Sequence, residues 1–286
     1  MYAITGASGK LGRLVVTALL EKVPPNQIVA AVRSPDKASD LAARGVSVRQ
    51  ADYEKPATLA TALAGVEKVL LVSGNDLGRR VSQHEAVVQA SRVAGVRLVA
   101  YTSVLHADSS KLLVADTHRA TEAALRASGL AYVLLRNGWY LENYTAGIAA
   151  VLASGTLIGC SGEGRISAAS RADYADAAAA ALTAKDEQRA RTYELAGDSA
   201  FTRAEFAAEL SRQSGRTIAY KNMSEADYRS ALIQAGLPEF VANLLSKSDA
   251  EAAQGALFDD SHELSRLIGR PTTPLSKAIA AALAGQ

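Results

Sequence analysis

Gly6, Gly9 and Gly12 follow directly on the short apolar run Tyr2 to Thr5, a spacing suited to seating a nucleotide diphosphate on a helix N-terminus. Gly6 lets the chain turn off a strand, Gly9 carries no Cβ to block the diphosphate, and Gly12 lets a helix starting near Lys10 lie close on the sheet. The loop Gly6, Ala7, Ser8, Gly9, Lys10, Leu11 and Gly12 is therefore the expected pyrophosphate cradle, with backbone N–H groups and the helix dipole holding the anion.

Nucleotide type is read at the end of the second strand, where an acidic residue would hold the ribose hydroxyls of NAD. The chain offers Ala31-Val-Arg33-Ser-Pro-Asp36-Lys37 there. Arg33 is suited to pair with the 2′-phosphate of NADP, and Lys37 adds a second positive charge. Asp36 is expected to cap the next helix and not to bind ribose.

Catalytic residues are defined first by a missing pair. Conventional short-chain reductases place Tyr and Lys four residues apart on a helix, so that the lysine readies the phenol to protonate a developing alkoxide. None of the ten tyrosines here has Lys four residues on. The corresponding stretch reads Asp116-Thr-His118-Arg-Ala-Thr-Glu122, and His118 and Glu122 share one helical face. Glu122 could orient His118 and raise its pKa, making an acid near neutral pH; a structural helix-face contact fits the pattern equally. His84, His106 and His262 read as surface or packing residues, no spacing suggests a metal site, and Cys160 reads as an unreactive thiol. Without a tyrosine acid a simple ketone would yield an unstabilised alkoxide, whereas a quinone accepts hydride as a ring-delocalised anion. Asn137 is placed to donate an amide hydrogen bond to a quinone carbonyl or to hold the nicotinamide carboxamide. Trp139 and Tyr140 could form apolar walls or pack the second lobe.

These residues must be carried by alternating strands and helices. Short apolar runs predict strands at 2–5, 28–32, 46–49, 69–72, 98–102 and 132–136, with helices between them. Right-handed crossovers then dictate a doubly wound parallel α/β sheet of Rossmann type, with ligands beyond the carboxyl ends of the strands. Those ends are Asp52-Tyr53, Ser73-Gly74-Asn75, Tyr101 to Ser103 and Arg136 to Gly138. After residue 136 the alternation loosens: 151–169 is glycine-rich with β-prone pieces, 172–183 is an alanine-dense helix, and a further strand is expected near 217–220. The expected division is a nucleotide domain over 1–150, with 170–196 returning to it, and a small discontinuous α/β lobe of 151–169 and 197–286.

The glycine loop Gly6 to Gly12, Tyr101 to Asp108 (YTSVLHAD), Leu134 to Asn143 (LLRNGWYLEN), Ala169 to Tyr174 and Glu194 to Gly197 together resemble the NmrA-like branch of the atypical short-chain dehydrogenase/reductases. Within it, they are most similar to the bacterial NAD(P)H:quinone oxidoreductases of the second type. Ser8 stands where that family's turn usually carries Thr. The resemblance implies that Ser73, Gly74 and Asn75, then Asn137, Gly138, Trp139, Tyr140, Leu141 and Glu142, then Ala169, Ser170, Arg171, Ala172, Asp173 and Tyr174 close around NADP. It also implies hydride transfer to quinones without flavin or metal. The alternatives are an NADP-binding redox sensor without turnover and a reductase of cationic dyes or other conjugated acceptors.

Composition agrees. With 286 residues, 49% of them hydrophobic, the chain can bury a large core, and a net charge of +2 with scattered cations does not favour nucleic acid. No apolar run approaches the ~18 residues of a membrane span. An expected strand from residue 2 leaves no room for a signal peptide, and a single cysteine fits a reducing compartment, so a cytoplasmic enzyme is expected. The sequence does not distinguish monomer from dimer.

Overall fold

The computed structural model describes residues 1–185 and 189–285. The strands are β1 (Tyr2–Thr5), β2 (Ile28–Val32), β3 (Ser47–Gln50), β4 (Lys68–Leu71), β5 (Leu98–Val104), β6 (Ala131–Asn137), β7 (Thr156–Gly159), β8 (Arg191–Leu195) and β9 (Ala219–Asn222). The helices are α1 (Lys10–Leu20), α2 (Ser39–Ala43), α3 (Pro56–Leu63), α4 (Arg80–Val93), α5 (Ala115–Ala127), α6 (Leu141–Thr145), α7 (Ile148–Ser154), α8 (Arg171–Thr183), α9 (Arg203–Ser214), α10 (Glu225–Gln234), α11 (Glu239–Ala252), α12 (Glu263–Ile268) and α13 (Leu275–Ala284).

Two compact units result. The first contains residues 1–108, 116–137 and 171–195. Its seven strands, in the order β3-β2-β1-β4-β5-β6-β8, are all parallel. The order reverses at β1, the switch point beside which doubly wound sheets bind ligands. Each residue of β2 and β5 is buried, as apolar strands covered on both faces must be. α1 buries Leu11, Val15, Val16 and Leu19 and packs on α8, whose small Ala175, Ala177, Ala178 and Ala179 allow close approach. Burial of Leu19 alone contributes about 1.5 to 3 kcal/mol relative to an exposed side chain.

The second unit contains 109–115, 138–170 and 196–286, with a parallel β7-β9 pair and helices α6, α7 and α9 to α13. α9 opens on a reciprocal cap: Thr202 Oγ1 accepts from the Glu205 N–H, and the Glu205 carboxylate accepts from the Thr202 N–H.

The first two strands lie where expected, and the others shift by one or two residues. Residues 109–115, 138–150, 170 and 196, expected in the nucleotide domain, cluster with the second unit, and 151–154 complete helix α7 instead of beginning a β-prone stretch. β8 was not legible as a strand because this edge strand reads RTYEL, with exposed polar residues breaking the apolar run.

Candidate functional site

Gly6 leaves β1 with φ +59°, a left-handed conformation that glycine adopts without strain. A Cβ on Gly12 would stand 2.4 Å from Gly6 O and 2.8 Å from Ala7 Cα, so only glycine lets α1 approach the loop this closely. Gly9, the N-cap, supplies no side-chain cap, and the first turn of α1 contains no acid. The helix N-terminus therefore offers backbone N–H groups and a positive dipole end to an anion, and these residues fit a dinucleotide pyrophosphate. Arg33 is exposed just past β2, with no hydrogen bond or ion pair to its guanidinium among the described residues. Arg13 braces the neighbourhood by donating to Ser8 O at 3.3 Å, to Lys37 O and to Asp40, whose carboxyl it holds below the usual range. Asp36 caps no helix; it lies inside the short 3₁₀ turn 35–38, and Ala38 precedes α2.

The turn after β4 is held by hydroxyls and rings. Val72 N–H donates to Thr5 Oγ1 at 3.1 Å, and Ser73 N–H donates to Thr102 Oγ1 at 2.9 Å. Gly74 is fixed twice, its N–H donating to His84 Nε2 at 3.0 Å and its carbonyl accepting from Arg80 Nε at 2.7 Å. Because Gly74 N–H can only donate, His84 Nε2 must accept, so His84 is neutral and donates from Nδ1 to Thr121 Oγ1 at 2.9 Å. Burial, and then the Arg80 charge, depress His84 to about 3. His84 thus fixes a backbone turn, beyond the packing role expected of it.

The expected His118 and Glu122 partnership does not form. His118 Nδ1 meets Tyr101 Oη at 2.7 Å, and its Nε2 accepts from Arg80 Nη1 at 3.3 Å. The guanidinium has only donors, so His118 carries its proton on Nδ1 and donates to the phenol. Burial and the Arg80 charge push His118 well below its ordinary pKa, opposite to the direction expected from a carboxylate neighbour. Burial raises the pKa of Tyr101, which has no solvent exposure. Burial and the Arg80 charge both disfavour a protonated His118 near neutral pH. Tyr101, which sequence reasoning placed at a strand end, is its partner; apolar periodicity gives no sign of a tyrosine in β5 reaching a helix histidine.

Glu122 instead forms a bidentate pair with Arg136, at 3.0 Å to Nε and 2.7 Å to Nη2, and accepts from Ser103 Oγ at 2.6 Å and Arg126 Nη2 at 2.9 Å. Arg136 also meets Glu194 at 2.9 Å and Asp108 at 2.8 Å. Burial alone would lower Arg136, but the hydrogen bonds to Glu122, Asp108 and Glu194 raise it. Next to this knot, Asn137 is the last residue of β6, and its backbone carbonyl accepts from Leu105 N–H at 3.0 Å. Its side-chain Oδ1 is buried with no hydrogen-bond partner among the described residues. Such an acceptor fits a ligand that brings a donor, as the carboxamide of nicotinamide does.

In the second unit, Ala169 N–H donates to Trp139 O at 3.1 Å and Leu141 N–H donates to Ala169 O at 2.9 Å, so segments 138–142 and 169–170 are brought together. In the first unit, Arg171, Ala172, Asp173 and Tyr174 open α8, with Asp173 and Tyr174 buried. Cys160 donates to Ser246 O at 3.3 Å, and burial pushes its thiol up to about 12. Among the described residues no group of three His, Cys, Asp or Glu could hold a metal, and no helix is long and apolar enough to cross a membrane.

A family model described as NAD(P)H-binding matches residues 6–185. The chain is 53% identical to Quinone oxidoreductase 2 of Escherichia coli (strain K12) over 98% of its own length and 97% of that protein's. The solved NADPH-dependent quinone oxidoreductase QOR2 of that species, complexed with NADPH, superposes with a TM-score of 0.97 at 52% identity, covering 99% of this chain and 100% of that one. The Citrobacter sp. triphenylmethane reductase complexed with NADP(H) gives 0.95 at 38% identity, covering 99% and 100%. Nmra, a negative transcriptional regulator solved with NAD, shares the fold at 15% identity, with a TM-score of 0.80 over 99% of this chain and 95% of that one.

Proposed function

This chain belongs to the NAD(P)H-binding family, and we propose that it is an NADPH-dependent quinone reductase of the NmrA-like branch of the atypical short-chain dehydrogenase/reductases, working without flavin in the cytoplasm. The observation that carries this reading is full-length similarity to a quinone oxidoreductase at 53% identity, joined to a glycine loop shaped for one dinucleotide.

When bound, NADPH supplies the hydride. The loop Gly6 to Gly12 holds its pyrophosphate, and Arg33, with Lys37 beside it, takes the 2′-phosphate as a charge-assisted pair. The Asn137 amide has two ends with separate tasks. Oδ1, left without a donor, accepts from the nicotinamide carboxamide, while the amide N–H stabilises negative charge as it develops on the quinone oxygen. The proton comes from solvent, since His118 is held neutral and Tyr101 is buried. A quinone tolerates this because the ring delocalises the charge before protonation. A simple ketone would not.

Following NADPH absorbance against a quinone panel, with and without added flavin, tests the reading; turnover independent of flavin is expected, and turnover only with flavin rejects the flavin-free mechanism. Asn137→Asp keeps an acceptor, removes the donor and sets a negative charge where charge develops on the quinone, so quinone reduction should fall about 10 to 10³-fold with NADPH affinity retained within a few-fold. A large loss of NADPH affinity in Asn137→Ala and in Asn137→Asp alike would move Asn137 wholly into the cofactor shell. Arg33→Asp should weaken NADPH by about 2 to 4 kcal/mol and NADH much less.

A further inference from the structure

We infer that Arg80 is a positioning residue for nucleotide binding, its guanidinium holding the Ser73 to Asn75 turn against α5 in the form that receives the cofactor; this rests on the NADPH reading above. The side chain is buried, yet no carboxylate among the described residues pairs with it. Its acceptors are all neutral: Gly74 O at 2.7 Å, Thr117 Oγ1 at 3.0 Å and His118 Nε2 at 3.3 Å. It is also the first residue of α4, where the helix dipole is positive and the first turn contains no acid.

A cation buried on neutral acceptors at that end of a helix is costly to the fold, and a neutral side chain could make a merely structural tie. Arg136 shows the compensated arrangement in the same unit, with three carboxylates around one guanidinium. What Arg80 adds beyond a tie is a rigid positive charge bonded to the backbone of a strand-end turn, at the carboxyl edge where this fold binds its anionic ligand. The turn is clamped on both sides of one peptide residue, since His84 holds Gly74 N–H while Arg80 holds Gly74 O. Releasing the carbonyl frees the turn without touching Asn137 or the glycine loop. The loss should therefore appear in cofactor affinity and not in turnover once cofactor is saturating.

Fluorescence titration of NADPH into the full chain, with kcat at saturating NADPH and thermal unfolding in parallel, tests this in Arg80→Gln and Arg80→Lys. Arg80→Gln should raise the Kd for NADPH about 10 to 100-fold and leave saturated kcat within about 3-fold, and Arg80→Lys, which keeps the charge on fewer donors, should fall between it and the wild type. A folded Arg80→Gln that binds NADPH within about 2-fold of the wild type, or one that loses kcat with Kd unchanged, overturns the inference. Should Arg80→Gln fail to fold, Thr117→Val decides, because it removes one acceptor without exposing the charge: at least about 3-fold weaker NADPH binding supports the inference and unchanged binding overturns it. A wild-type protein that binds no NADPH overturns the NADPH reading as well, whereas a binding wild type with an unaffected Arg80→Gln overturns only the role of Arg80.

Discussion

His118 and Glu122 lie one turn apart on α5, yet each meets a different arginine in the opposite electrostatic setting. Around Arg136 there are three carboxylates, and the guanidinium stays firmly charged. Among the described residues Arg80 bonds to a carbonyl, a hydroxyl and an imidazole, and that imidazole is driven neutral by burial and by the same cation. The i, i+4 spacing on a helix says that two side chains share a face; it does not say that they bond to each other. Here each is taken by a strand or helix brought in from elsewhere, Glu122 by Arg136 of β6 and His118 by Tyr101 of β5 and Arg80 of α4.

Removing one partner from each cluster should separate them most sharply. Glu122→Ala leaves Arg136 buried with its remaining carboxylates on one side, and about 3 kcal/mol of stability should be lost by denaturant unfolding. Thr117→Val, which takes one neutral acceptor from Arg80, should cost about 1 kcal/mol. Equal losses in the two variants would erase the distinction between a compensated and an uncompensated guanidinium.

Acid titration is the second way to separate them. Unfolded histidine binds a proton below about 6.5, whereas folded His84 binds none until about 3, so the unfolded state holds more protons in that window. Stability should therefore fall as pH drops from about 6.5 toward about 3, by up to about 1.4 kcal/mol per pH unit for each such histidine. His118, shifted in the same direction, adds to this slope. The carboxylate side responds later, because Asp108, lowered by its hydrogen bond to Arg136, gives a contribution present above its ordinary value of 3.8 and lost as pH falls below it. Between pH 6 and about 4.5 the slope should belong to the histidine cluster, and His84→Gln should flatten it. An unchanged slope in that variant would show that His84 is not the titrating group.

The smallest expected effect is on catalysis. A neutral, buried His118 supplies no proton, so His118→Ala should cost less than about 10²-fold in kcat, below the range for a required general acid. A loss of about 10⁴-fold in a folded protein would restore it as the acid.

What could be read locally was read well. Gly6 and Gly12 stand within seven consecutive residues where local backbone geometry favours glycine, Gly6 by its left-handed φ and Gly12 by leaving no room for a Cβ. β1 and β2 are apolar runs whose burial on both faces follows from composition. The failures share a different property. β8 is an edge strand whose polar residues hide it, residues 138–150 join the second unit through contacts remote in sequence, and His118 is paired across the fold with a tyrosine seventeen positions earlier.

The sequence by itself determined that the chain folds as a doubly wound sheet with a glycine turn opening its first helix, because strand period, crossover handedness and glycine spacing are local or topological constraints. Only the tertiary structure decided which protonation states and ion pairs occur in its interior. Those depend on which groups are buried together, and the balance between desolvation and hydrogen bonding at Arg80, His118 and Arg136 is set by neighbours that chain spacing does not reveal.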